Sequence, residues 1–153
     1  MHAASQIGVR SALIPGLINA VINGAIAYQG FKGAALIPLT VDVSNGGEMT
    51  VWSEVVALSF SLSAILGVIT AVLFQKSAGV TPRKPVFPTL VLLALEQAVM
   101  LFGASVIFAL LWHRLAGTVL VSPLAAALFV AAAAAVITII VDIRVKRAVL
   151  RKD

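Results

Sequence analysis

Four apolar stretches, at about 8–29, 51–75, 87–112 and 118–141, fill most of the 153 residues, and the basic residues gather on one side of them. Roughly 20 apolar residues in a helix cross the hydrocarbon core of a bilayer. Each stretch approaches or exceeds that length. The expectation is an all-α integral membrane bundle of four transmembrane helices, the last continuing to about 145. Residues 1–153 read as a single membrane domain with a long outer loop at 30–50.

Composition supports the same solvent. Hydrophobic residues make up 61% and charged residues 11% of the chain. Soluble domains carry about 25% charged residues, so four thick apolar helices in water would lack polar surface to cover them. The chain has no cysteine, which excludes disulfides, thiolate metal sites and cysteine nucleophiles. His2 and His113 fall at opposite ends of the map. No metal and no cofactor are expected. The excess of basic residues flanks apolar helices, so anionic lipid headgroups explain it better than nucleic acid.

The charges orient the bundle. Arg10, Lys76, Arg83, Lys84, Arg144, Lys146, Arg147, Arg151 and Lys152 fall on one side, with only Lys32 and Arg114 on the other. The positive-inside rule then places both termini in the cytoplasm. Trp52 and Trp112 fall at the predicted outer helix ends, where interfacial aromatics gather. Residues 1–27 also carry features of a cleaved signal peptide, ending in Ala25-Ile26-Ala27. Pro15, Asn19, Asn23 and the single basic residue Arg10 argue instead for a retained first helix.

Two helices carry stripes of small residues at four-residue spacing. Ala12, Gly16, Ala20 and Gly24 form one in the first helix; Ser59, Ser63, Gly67 and Ala71 form one in the second. Such faces let backbones approach closely, and the two stripes are expected to pack on each other. Pro15, Asn19 and Asn23 run beside the first stripe. Asparagine amides have donors and acceptors that hydrocarbon cannot satisfy, so that face is expected to turn inward. The outer loop is largely apolar from Ala34 to Val43, and Asp42 and Glu48 make it the more acidic of the two outer loops. It reads as an interfacial or re-entrant segment or a short hairpin over the outer mouth, beside the plainer reading of a partly ordered loop lying at the headgroups. Ser122-Pro123 reads as a helix cap followed by proline at the first helical position.

Glu96-Gln97 is the one interruption deep inside an apolar run. Counted from Pro88, Glu96 lies roughly 12 Å into the third helix; Asn19 lies roughly 13 Å past Arg10 in the first. If those two helices touch, Asn19, Asn23, Glu96 and Gln97 form one polar cluster. Burying an ionised carboxylate costs at least about 2–3 kcal/mol on insertion scales. It must therefore be neutral, hydrogen-bonded or open to a wet cavity. That is the equipment of a proton-coupled carrier or cation site, and equally of a buried structural hydrogen bond. No enzyme signature is present: Ser59, Ser61 and Ser63 have no histidine at matching depth to act as base. There is no phosphate-binding glycine loop and no metal-ligand spacing.

The run from Ile18 to Asp42, followed by Thr50-Val51-Trp52, resembles a type of small bacterial four-helix membrane protein often labelled permease. Trp112-His113-Arg114, the Ser122-Pro123 helix start and the basic tail match the same layout. The resemblance implies a bacterial inner-membrane protein and no particular substrate. Small multidrug transporters also have four short helices, but their essential glutamate is in the first helix, where this chain has asparagines; their mechanism is not carried over. The leading expectation is a permease-like or transporter-like membrane protein, coupled to protons or cations through an intramembrane carboxyl. The alternative is a non-catalytic membrane subunit or scaffold that packs against partner helices. Four helices barely enclose a pathway, so a homo-oligomer or a partner subunit is expected.

Overall fold

The computed structural model describes residues 7–41, 49–81 and 83–151. Its helices are α1 (Val9–Phe31), α2 (Val51–Ser77), α3 (Val91–Ala116) and α4 (Pro123–Leu150), with two-residue strands β1 (Ile37–Pro38) and β2 (Leu120–Val121). All four helices are long and apolar enough to cross a membrane. The fold is the all-α membrane bundle expected, with residues 7–10 and the end of α4 at one end (the terminal end). The strands lie at the other, the loop end.

Local chemistry sets the helix ends. Thr50 and Ser53 cap α2 reciprocally: Ser53 N–H donates to Thr50 Oγ1 and Thr50 N–H to Ser53 Oγ, each at 3.0 Å. Ser122 caps α4 by accepting from Ala125 N–H at 3.3 Å, and Pro123 takes the first helical position. Helix α4 therefore begins about five residues later than the apolar run. Leu120 and Val121 pair instead with Pro38 and Ile37 in an antiparallel ribbon. Helix α3 also starts late. Phe87 is extended (φ −113°, ψ 136°), and Val86–Leu90 makes one wide turn in which Leu90 N–H bonds Pro85 O. Prolines at 85 and 88 keep their neighbours out of regular helix. Glycine ends α3: Gly117 has φ +65°, a backbone region that disfavours residues with a Cβ.

The helices pack in the series α1–α4–α2–α3. Helix α4 is the hub, lying along α1 and α2, while α3 packs on α2 and touches α4 only lightly. The small-residue stripes pack closely, though not on each other. A Cβ added at Gly24 would stand 2.8 Å from Ala131 Cβ, and one at Gly16 3.1 Å from Ile139, both on α4. A Cβ at Gly67 would stand 2.7 Å from Ala94 Cβ on α3. The reason is the alanine run of α4, which offers α1 a smoother surface than the serines of α2.

Two apolar clusters form the core. The loop-end cluster joins Phe31, Ile37, Leu39, Val51, Trp52 and Val130; the terminal-end cluster joins Phe74, Leu90, Leu101, Val141 and Val145. Trp52, expected at the membrane interface, is only 8% exposed. Its ring packs 5.1 Å from Phe108 and 5.2 Å from Phe129, which makes it a core residue. The outer loop is pinned rather than loose up to Val41. Leu39 N–H donates to Val119 O at 2.8 Å, and Thr40 Oγ1 sits 3.1 Å from His113 Nδ1. Asp42 and Glu48, the acidic residues of that loop, lie outside the described residues.

Candidate functional site

The four polar residues singled out in the apolar runs separate into two places. Asn19 and Asn23 stay on α1, and α1 is not packed on α3. Asn19 Nδ2 donates to Pro15 O at 3.0 Å, and Asn23 Nδ2 donates to Asn19 O at 2.9 Å. Each amide is thus bonded one turn back along its own helix, as short polar side chains do in helices where no partner is within reach. The conditional cluster with Glu96 does not form within this chain, because α4 stands between the flanks.

Glu96 and Gln97 meet α4 instead. Gln97 is 3% exposed, and its Oε1 accepts from Arg144 Nε at 2.6 Å. Helix direction explains the meeting. Side chains lean toward the N-terminus of their helix. Helix α3 starts at the terminal end, so Glu96 and Gln97 lean toward that end. Helix α4 starts at the loop end, so Arg144 leans the opposite way, into the span. Glu96 is five residues past Val91, about 8 Å into regular helix. Counted from Pro88, where helical backbone resumes after the extended Phe87, it lies about 12 Å in.

Together these residues line a cavity of about 290 Å³ between α3 and α4. Arg147 and Arg151 line it beside Arg144. Three guanidinium groups against one carboxylate make the pocket electropositive. Guanidiniums present several donors in a planar fork that suits phosphate and carboxylate oxygens. The three arginines were counted in the sequence only as part of a basic tail. Arg144 and Arg147, three residues apart, share one face of α4, and Arg151 follows in extended backbone just past the helix end; that spacing was the available signal.

A separate pocket lies along the same seam toward the loop end. One turn farther on each helix, an apolar groove of about 360 Å³ runs between α3 and α4, lined by Leu101, Phe108, Ala132, Val136 and Ile140 among others. A second cleft, about 750 Å³, opens on the other side of α4 between α1 and α2. There Lys146 Nζ bonds Asp142 Oδ2 at 2.7 Å and lies 5.9 Å from the centre of the Phe74 ring. With Lys76 also lining that cleft, it carries two cations against one carboxylate, whereas the α3/α4 pocket carries three against one.

A third polar feature was missed in the sequence. Gln75, buried between α2 and the connection to α3, holds Lys84 by both backbone groups: Lys84 N–H to Gln75 Oε1 at 2.7 Å and Gln75 Nε2 to Lys84 O at 3.3 Å. It fixes the approach to α3 and has the character of a structural clamp. No family model matches the chain, and neither the curated proteins nor the solved structures yield a match.

Proposed function

We propose that the protein is a small, non-enzymatic permease-like carrier of the bacterial cytoplasmic membrane, with both termini cytoplasmic. The observation that carries this reading is Glu96: a carboxyl within the apolar run Val86–Ala116 that lines an open cavity beside Gln97 and Arg144. Intramembrane acids of this kind are costly and mark ion or substrate paths more often than ordinary surface acids do. Glu96 is the proton-coupling group in this reading. Uptake of one proton there removes the one negative charge that faces three arginines among the described residues, so the protonated pocket holds an anionic partner more tightly. Proton and anion then load together. Asn19 and Asn23 take no part.

The seam lies open along its length, so a second copy of this chain, or a partner subunit, would close the path. The competing reading is a scaffold that grips a partner through its small-residue stripes. It has less support, since Gly16, Gly24 and Gly67 are already covered by α4 and α3. The test is flux. In proteoliposomes with an imposed pH gradient, the protein should carry protons together with an anion from a solute panel. Glu96→Gln should abolish this at normal insertion. Flux unchanged in Glu96→Gln refutes proton coupling through this carboxyl.

A further inference from the structure

We propose that the α3/α4 seam is the seat of an anionic phospholipid, its phosphate held by Arg144 and Arg147 and an acyl chain laid in the apolar groove. The inference deepens the carrier reading by naming the ligand class of the same pocket. It rests on that reading only for the pocket's location, because it is read out as binding and needs no transport.

Three observations converge on this ligand. First, the seam is divided chemically along its length. Its terminal-end part holds Arg144, Arg147 and Arg151 around a 290 Å³ cavity, and the part toward the loop end is a 360 Å³ groove of alanine, aliphatic and aromatic side chains. A solute small enough for the polar cavity has no use for the groove, and a neutral lipid has no use for the arginines. A molecule with a phosphate at one end and hydrocarbon at the other satisfies both.

Second, the depths fit. Glu96 and Arg144 sit about 8–12 Å from the terminal ends of their helices, inside the hydrocarbon but close to its headgroup edge. From Ile140 to Phe129 the groove runs about 16 Å, close to the ~15 Å of hydrocarbon in one leaflet. Third, the arginine geometry favours capture. Arg144 lines the cavity and is anchored by its Nε–H to Gln97, a bond that uses one of its five N–H donors. An arginine already held by a neighbour loses less freedom on binding a phosphate. Basic pockets between membrane helices at the cytoplasmic side recognise anionic headgroups on these same terms.

Glu96 tunes the site. Its carboxylate repels a phosphate, so an uncharged side chain there strengthens the lipid's hold. This separates the two readings by sign: Glu96→Gln should abolish proton-coupled flux and yet tighten lipid binding.

The experiment is mass spectrometry of the intact, detergent-solubilised protein titrated with phosphatidylglycerol or phosphatidylcholine of equal chain length. Phosphatidylglycerol should bind at least tenfold more tightly. Arg144→Gln/Arg147→Gln should erase that preference, while Lys32→Gln at the loop end leaves it intact. Ala132→Phe, which fills the groove from an exposed position, should weaken long-chain phosphatidylglycerol several-fold and leave a short-chain form unaffected. Inorganic phosphate at equal concentration should not displace the lipid. Equal binding of the two lipids, or a preference that survives loss of both arginines, overturns the proposal. Displacement by phosphate alone overturns it in favour of a free anion. Should the double variant fail to fold, Ala132→Phe and the phosphate competition still decide.

Discussion

The two long sides of α4 make opposite contacts. Toward α1 it presents Ala127, Ala131, Ala135 and Ile139, and the glycines of α1 press against them within van der Waals distance. Toward α3 it presents Ala132, Val136 and Ile140 and then Arg144 and Arg147, and the two helices stand apart over two successive pockets. Both sides draw on the same alanine run. The difference lies in the opposing helix, which brings glycine on one side and Leu101 and Phe108 on the other. Polar groups follow the space that results. Where helices touch, Asn19 and Asn23 bond their own backbone; where helices part, Arg144 reaches across to Gln97 and three guanidiniums face a cavity. A membrane chain without free water to satisfy polar groups can keep net charge only where it keeps room.

The largest test of this contrast compares neighbouring alanines. Ala131 meets Gly24, whereas Ala132 faces the open seam. Gly24→Leu or Ala131→Phe should cost about 3 kcal/mol or more, because neither helix backbone can yield without losing the whole contact. Ala132→Phe should change stability by under about 1 kcal/mol, since it projects into a groove. Thermal unfolding in detergent measures all three. Equal costs at 131 and 132 break the distinction between the closed and open sides.

An intermediate effect is expected at the loop end, where the seam is tied off. Buried Thr40 places its hydroxyl 3.1 Å from His113 Nδ1 and 3.4 Å from Gly117 O, joining the first outer loop to the end of α3. Thr40→Val keeps the shape and removes both bonds. It should cost about 1–2 kcal/mol and raise hydrogen exchange at residues 117–121, while α1 and the middle of α4 exchange as before. Faster exchange throughout α1 in this variant would show that the two sides of α4 are not independent, and would sharpen the comparison into a single cooperative unit.

Much of this architecture is legible in the residues. Four apolar runs locate four helices because hydrocarbon admits little else, and Ser122-Pro123 marks a helix start by local hydrogen bonding alone. Small-residue stripes announce close approach, but they do not say to what. Gly67 was a packing residue on any reading; that it meets Ala94, with Gly24 meeting Ala131, depends on the order of helices around the bundle. The same limit applies to the site. Glu96 and Gln97 stand out as polar residues in apolar sequence. Their company does not, because Arg144 is 47 residues away from Gln97 and belongs by composition to a basic tail.

The smallest effect expected is at Asn19, and it bears most directly on the separation of α1 from the α3/α4 pocket. An asparagine in a membrane helix suggests a partner across an interface. Here the amide donates to Pro15 O, a carbonyl of its own helix, and the contact makes no demand on α4. Hydrogen bonds inside membrane proteins contribute about 0.6 kcal/mol on average, and one made within a helix survives when tertiary packing is lost. Asn19→Leu should therefore shift stability by no more than about 0.5 kcal/mol, leave phosphatidylglycerol capture unchanged and leave proton-linked flux intact. A cost above about 2 kcal/mol would mean that the amide has an intermolecular partner, as a second copy of the chain would supply. In that case α1 is an interface, and its polar face is satisfied only in the assembled protein. Measured beside Glu96→Gln in the same vesicles, the pair of variants assigns function to one flank of α4 or the other.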